Sequence, residues 1–95
     1  MATVSVTVKL DVIDLSEAHE PGREVTGRHV GNLQGLLLAA ANSAGDPDFD
    51  PKGIDGVAGQ ETRRALRRFK EQHDLRNRFI CDAPTWERLI EYPHR

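Results

Sequence analysis

Ninety-five residues, 38% hydrophobic and 29% charged, with a formal charge of −2, describe one small soluble globular domain rather than a disordered or membrane-embedded chain. A chain this short buries only ~60–65% of its extended surface, which favours a shallow surface groove over a deep cleft. The negative charge argues against a dedicated nucleic-acid binder, yet it is unevenly spread: residues 1–50 hold three basic and eight acidic side chains, residues 51–95 ten and seven, giving −5 and +3.

The N-terminus, MATVSVTVKLDV, has no basic n-region and no continuous apolar run, which predicts neither a Sec-type signal peptide nor a membrane span. The expected location is therefore the cytoplasm or a non-Sec export route, with wall association if the chain belongs to a larger secreted protein. Val4, Val6, Val8, Leu10 and Val12 alternate with Ser5, Thr7, Lys9 and Asp11, and this period of two predicts a half-buried strand over residues 4–13. A strand needs a ladder partner. Arg23–Thr26, returning across the loop that ends in Pro21-Gly22, is the expected internal one; pairing with a second molecule would instead give a homodimer.

Thr26 reads as an N-cap. The helix it opens carries Val30, Leu33, Leu37 and Ala41 on one face and runs to about Asn42. Gly31 and Gly35 inside it each cost about 1 kcal/mol of helix stability, which predicts close packing there. AGDPDFDPKGIDG, residues 44–56, reads as loop. Its Asp46, Asp48 and Asp50 invite a calcium reading, but an EF-hand comparison puts Pro51 at the glycine position and Val57 at the bidentate glutamate. A solvated acidic loop is the expectation.

A second helix is predicted from Gln60 to His73, with Thr62, Ala65, Leu66, Phe69 and His73 inward and Arg63, Arg64, Arg67, Arg68 and Lys70 largely outside. A third is signalled by CDAPTWERLIEYP: Asp82 caps it, Pro84 fits its first turn and Pro93 stops it. Cys81 and Trp86 flank that cap at staple spacing. Residues 54–66 and 77–89 then form a degenerate repeat at an offset of 23, with Val57 over Ile80, Gly59 over Asp82, Thr62 over Thr85 and Leu66 over Leu89. Both copies read as a turn that tucks an apolar residue under the helix it starts. Asp55-Gly56 supplies positive φ in the first. The glycines are thus turn chemistry rather than a phosphate cradle, since Gln60-Glu61 follow where a Walker loop needs Lys and Ser or Thr.

Val30-x-x-Leu33-Gln34-x-x-Leu37, Asp55-Gly56-Val57-x-Gly59-x-x-Thr62-x-x-Ala65-Leu66-x-x-Phe69, Leu75 and Thr85-Trp86-x-x-Leu89 together resemble the peptidoglycan-binding domain family. That family's pattern runs V-x-x-L-Q, D-G-x-x-G-x-x-T, A-V/L-x-x-F, G-L and T-W-x-x-L. The likeness covers residues 26–90, about two thirds of the chain. It implies a compact, mainly α three-helix module over residues 26–95, preceded by an N-terminal β-strand or hairpin over residues 1–25. It departs from the pattern at Ala58, Gln60 and Asp74, and Arg78–Asp82 replaces a second D-G-x-x-G. The implied function is non-catalytic binding of cell-wall glycan or peptide stem, with Asp55, Gln60, Thr62, Arg63, Arg67 and Trp86 as ligand contacts. The rival reading is a protein–protein adaptor that keeps the fold.

Single residues carry plainer roles beside these. Gln34 fits a buried amide that satisfies loop backbone, Asp55 a turn-former and Trp86 a core residue. Glu61 with Arg64, and Arg67 with Glu71, stand at helical pairing distance. Cys81 precedes a cap, the four histidines lack metal-ligand spacing and no G-x-S-x-G elbow exists, so no enzyme, metal or cofactor is expected.

Overall fold

A computed structural model describes residues 12–91. Within them the chain is mainly helical, with three helices framing one core and four two-residue strands pairing in twos. Helix α1 spans Arg28–Ala44, α2 Gln60–Gln72 and α3 Ala83–Glu91. The strands are β1, Ile13–Asp14; β2, Val25–Thr26; β3, Val57–Ala58; and β4, Ile80–Cys81.

The strand pairing differs from the expectation that Arg23–Thr26 returns beside the N-terminal strand. Instead β1 pairs antiparallel with β4, Ile13 opposite Cys81, and β2 pairs antiparallel with β3, Val25 opposite Ala58. The physical reason lies between them. Successive tight turns, with Ala18 N–H donating to Leu15 O, Glu20 to Glu17 and Arg23 to Glu20, bury Leu15 and Ala18 in the core and hold the two segments apart. Each is then free to close the ladder of one repeat copy. Residues 4–11 of the predicted strand, the greater part of the surface proposed for a homodimer, lie outside the described residues, as does Pro93.

The helix starts are set by those pairings. Thr26 is not the cap of α1, because it belongs to the β2–β3 ladder. Gly27 takes that position at φ 144°, with no side-chain cap bond, and its N–H donates to Gly56 O at 3.1 Å. Only glycine accepts such a φ without strain. Helix α1 ends in a left-handed Gly45 whose N–H donates to Ala41 O, the usual C-terminal use of glycine.

The core gathers one stripe from each helix: Val30, Leu33, Leu37, Ala40 and Ala41 of α1, Ala65, Leu66 and Phe69 of α2, Trp86 and Leu89 of α3. Ile13, Leu15 and Ala18 join the same cluster, so the described part of the N-terminal extension is built into the helical core. Loop 44–56 contributes too. A 3-10 turn at Pro47–Phe49, capped by Asp46 Oδ1 accepting from Asp48 N–H, drives Phe49 edge-on into Phe69, centroids 5.5 Å apart.

Two further expectations fail here. Gly31 and Gly35 are not forced by close packing: a Cβ at Gly31 would lie 4.0 Å from Gly56 Cα, ordinary contact, and one at Gly35 would meet nothing within 4 Å. Lys70 is not outside; its exposure is 0%. It stands one turn beyond Leu66, at the edge of the inward stripe, where the Asn77 and Ile80 carbonyls accept from its ammonium and make that burial possible.

Candidate functional site

The two repeat copies place their short strand and helix start alike, but their turns bend differently, with positive φ at Lys52, Gly53 and Gly56 in the first and at Asp74 and Asn77 in the second. Val57, expected to tuck under its helix, is 42% exposed, and Ala58 and Cys81 are the buried residues instead. Side chains from other helices tie each turn down. In the first copy Gln34, almost fully buried, reaches from α1. Its Oε1 accepts from Asp55 N–H at 3.1 Å and Gly56 N–H at 3.0 Å. Its Nε2 donates to Asp55 Oδ1, Val57 O and Thr62 Oγ1 at 3.0–3.1 Å. Asp55 Oδ1 also accepts from Val57 N–H at 3.0 Å. That bond, with Gln34's, holds its carboxyl below the ordinary 3.8. Gln34 as loop-satisfying amide and Asp55 as turn-former are both as read from the sequence.

Lys70 does the corresponding work in the second copy. Its Nζ donates to Asn77 O at 2.7 Å and to Ile80 O, and lies 3.6 Å from Asp82 Oδ1. Burial pulls the ammonium below its usual pKa while Asp82 opposes the shift. Burial pushes the Asp82 carboxyl up, but the Thr85 hydroxyl bond at 2.7 Å and the Lys70 charge outweigh it and hold the group below 3.8. Cys81, beside them, is fully buried and its thiol is pushed up to about 12 by desolvation, which makes it a poor nucleophile.

Beside the first turn lies a surface hollow of about 320 Å³ lined by Gln34, Pro51, Lys52, Asp55, Val57 and the start of α2, including Gln60, Glu61 and Thr62. Gly59 caps α2 without a side-chain bond, so first-turn N–H groups there are left to solvent or ligand. Lys52 is presented at φ 64°, its N–H donating to Asp50 Oδ1 at 2.8 Å. The hollow thus offers donors from Lys52 and Gln60 and acceptors from Asp55 and Glu61 around an aliphatic floor, a mixture suited to hydroxyl-rich or zwitterionic groups.

Of the six predicted contacts, Asp55, Gln60 and Thr62 converge on this hollow, with the Thr62 hydroxyl already engaged by Gln34. Arg63 points elsewhere, its guanidinium stacked 3.7 Å from the Phe79 ring centroid. Arg67 pairs with Glu71 at 3.4 Å and lines a separate charged hollow of about 250 Å³ with Asp48, Arg64 and Arg68. Trp86 is 2% exposed and borders an apolar hollow of about 440 Å³ between α1 and α3, with Gly31, Asn32, Gly35, Leu36 and Ile90. Sequence reading missed Lys52. Its signal was the Asp50-Pro51-Lys52-Gly53 turn, in which an aspartate side chain accepts from the N–H two residues on and so sets Lys52 on an exposed bend.

The arginine face of α2 meets the chain's own acids. Arg68 Nε lies 3.7 Å from Asp46 Oδ2 and from Asp48 Oδ2, Arg64 donates to Asp48 O and Asp50 O, and Arg64 pairs with Glu61 at 3.3 Å. The acidic loop is therefore not simply solvated, and its carboxylates face arginines. Among the described residues no group of three or more His, Cys, Asp or Glu side chains is placed to hold a metal, and no helix is long and apolar enough to cross a membrane. Scanned against protein-family models, curated proteins and solved structures, the chain matches none.

Proposed function

We propose that this chain is a non-catalytic binding module for bacterial cell-wall peptidoglycan, engaging glycan or peptide stem at the hollow beside Asp55–Gly59. The observation that carries this reading is convergence: three of the six expected ligand contacts line one hollow with Lys52, and two of them, Asp55 and Thr62, bear the family likeness while the third, Gln60, departs from it. A hollow of about 320 Å³ sits at the lower end of ligand-site sizes, so binding is weak and gains strength when tethered to a wall-acting partner.

Sedimentation with insoluble murein tests this. The purified chain is expected in the pellet at low salt. Lys52→Gly combined with Gln60→Ala should release it with unchanged circular dichroism, whereas Arg63→Glu, remote from the hollow, should not. No retention of the unaltered chain at low salt would sink the reading. The apolar α1–α3 hollow, with Ile90 43% exposed beside it, favours the adaptor alternative, in which a protein partner covers that face.

A further inference from the structure

The repeat has a consequence for ligand binding. A second hollow of about 300 Å³ lies at the other turn, lined by Asp74, Leu75, Arg76, Asn77, Asp82 and Pro84. Shifted by 23 residues, Pro51, Lys52 and Gly53 of the first hollow become Asp74, Leu75 and Arg76 of the second, the cap Gly59 becomes Asp82, and Glu61 becomes Pro84. The two hollows are the same place in two copies of one unit, and they agree in size.

Their chemistry is alike in composition, though not position by position, since Lys52 and Glu61 become Leu75 and Pro84. Each sets a proline and an aliphatic side chain (Pro51 with Val57, Pro84 with Leu75) among carboxylate, amide and cationic groups. Planar polar side chains around a small apolar patch are what sugar hydroxyls and a ring face require together. Asp74 and Asn77 are held at positive φ, 52° and 58°, which fixes the rim. Lys70 anchors the floor through Asn77 O and Ile80 O and answers the Asp82 charge, so the second hollow carries no unbalanced charge that would select an ion over a neutral sugar.

We infer that the second hollow is a second sugar-binding subsite, so that one chain grips two units of a repeating glycan. This rests on the peptidoglycan reading and narrows it to the glycan. Two weak subsites on one strand raise apparent affinity multiplicatively, because the second contact forms at a high effective concentration.

The test compares one soluble repeat unit of wall glycan with long peptide-free strands, by calorimetry and by retention. The unaltered chain should take up about two units and hold strands far more tightly than single units. Asp74→Gly with Arg76→Ala, which keeps a residue compatible with positive φ at position 74, should leave about one unit per chain and weaken strand binding about tenfold or more. Lys52→Gly with Gln60→Ala should do the same from the other side, and both variants should keep native circular dichroism. One unit per chain, lost in the first-hollow variant and untouched in the second-hollow variant, would overturn the second subsite and leave the wall-binding proposal standing. Binding of isolated stem peptide but not glycan would overturn the sugar assignment, and no binding of murein, glycan or peptide would overturn both.

Discussion

Two turns of one design are tied by opposite chemistries. The Asp55–Gly59 turn hangs on a neutral amide that both accepts and donates, Gln34, bonded to two backbone N–H groups, a carbonyl, a carboxylate and a hydroxyl. The Asn77–Asp82 turn hangs on a buried ammonium that can only donate, Lys70, and it has rearranged to suit, turning carbonyls and a carboxylate inward. What persists between the copies is the frame: a buried small residue, Ala58 or Cys81, a buried threonine and a buried leucine under each helix. Packing keeps the strand and helix start in place while the polar tie is free to change its charge.

That comparison is sharpest under mutation of the two ties. Lys70→Met retains the side-chain length but leaves Asn77 O, Ile80 O and Asp82 unanswered. It should cost about 3 kcal/mol in urea unfolding, because a broken buried charge pair exposes the full desolvation penalty. Gln34→Ala should cost about 2 kcal/mol, since it removes a neutral amide and strands no carboxylate that had faced a buried ammonium. An equal or larger loss at Gln34 would show that the neutral tie is the stronger one.

Acid separates the copies more gently. Asp55 and Asp82 both have folded pKa values below the ordinary 3.8. The stability they contribute is therefore fully present above the unfolded value and lost as pH falls through the folded one. Unfolding free energy should hold steady from neutrality to about pH 5 and decline below about pH 4. Asp82→Asn should remove more of that acid limb than Asp55→Asn, because Asp82 faces an ammonium and Asp55 only neutral donors. A steeper acid loss in Asp82→Asn than in the unaltered chain would contradict this assignment.

The smallest effect concerns the glycines. Gly35→Ala should raise stability by about 0.5–1 kcal/mol, because an open helical site gains propensity with nothing to displace. In the turn the sign reverses: Gly56 has φ 75° and a Cβ there would lie 3.4 Å from Gly27 O, so Gly56→Ala should lose about 1 kcal/mol. Thermal melts read both.

The stripes of the first two helices, the Asp82 cap, the Asp55-Gly56 bend and the positions of the repeat were legible in the residues alone. Each of these follows from local periodicity or turn chemistry within a few residues, as does the place of Gln34 beside its stripe, though not its partners, which lie 21 or more residues away. Tertiary structure alone decided which segments complete the ladders, with β1 on β4 and β2 on β3, because strand pairing depends on chain reversal through buried Leu15 and Ala18 rather than on the strands' own residues. It alone revealed Lys70 as an interior group, because whether a charged side chain can be buried depends on acceptors that arrive from seven and ten residues further along. It also drew Asp55, Gln60 and Thr62 together while sending Arg63, Arg67 and Trp86 to other faces: one helix displays its residues all around, and only packing settles which side meets a hollow.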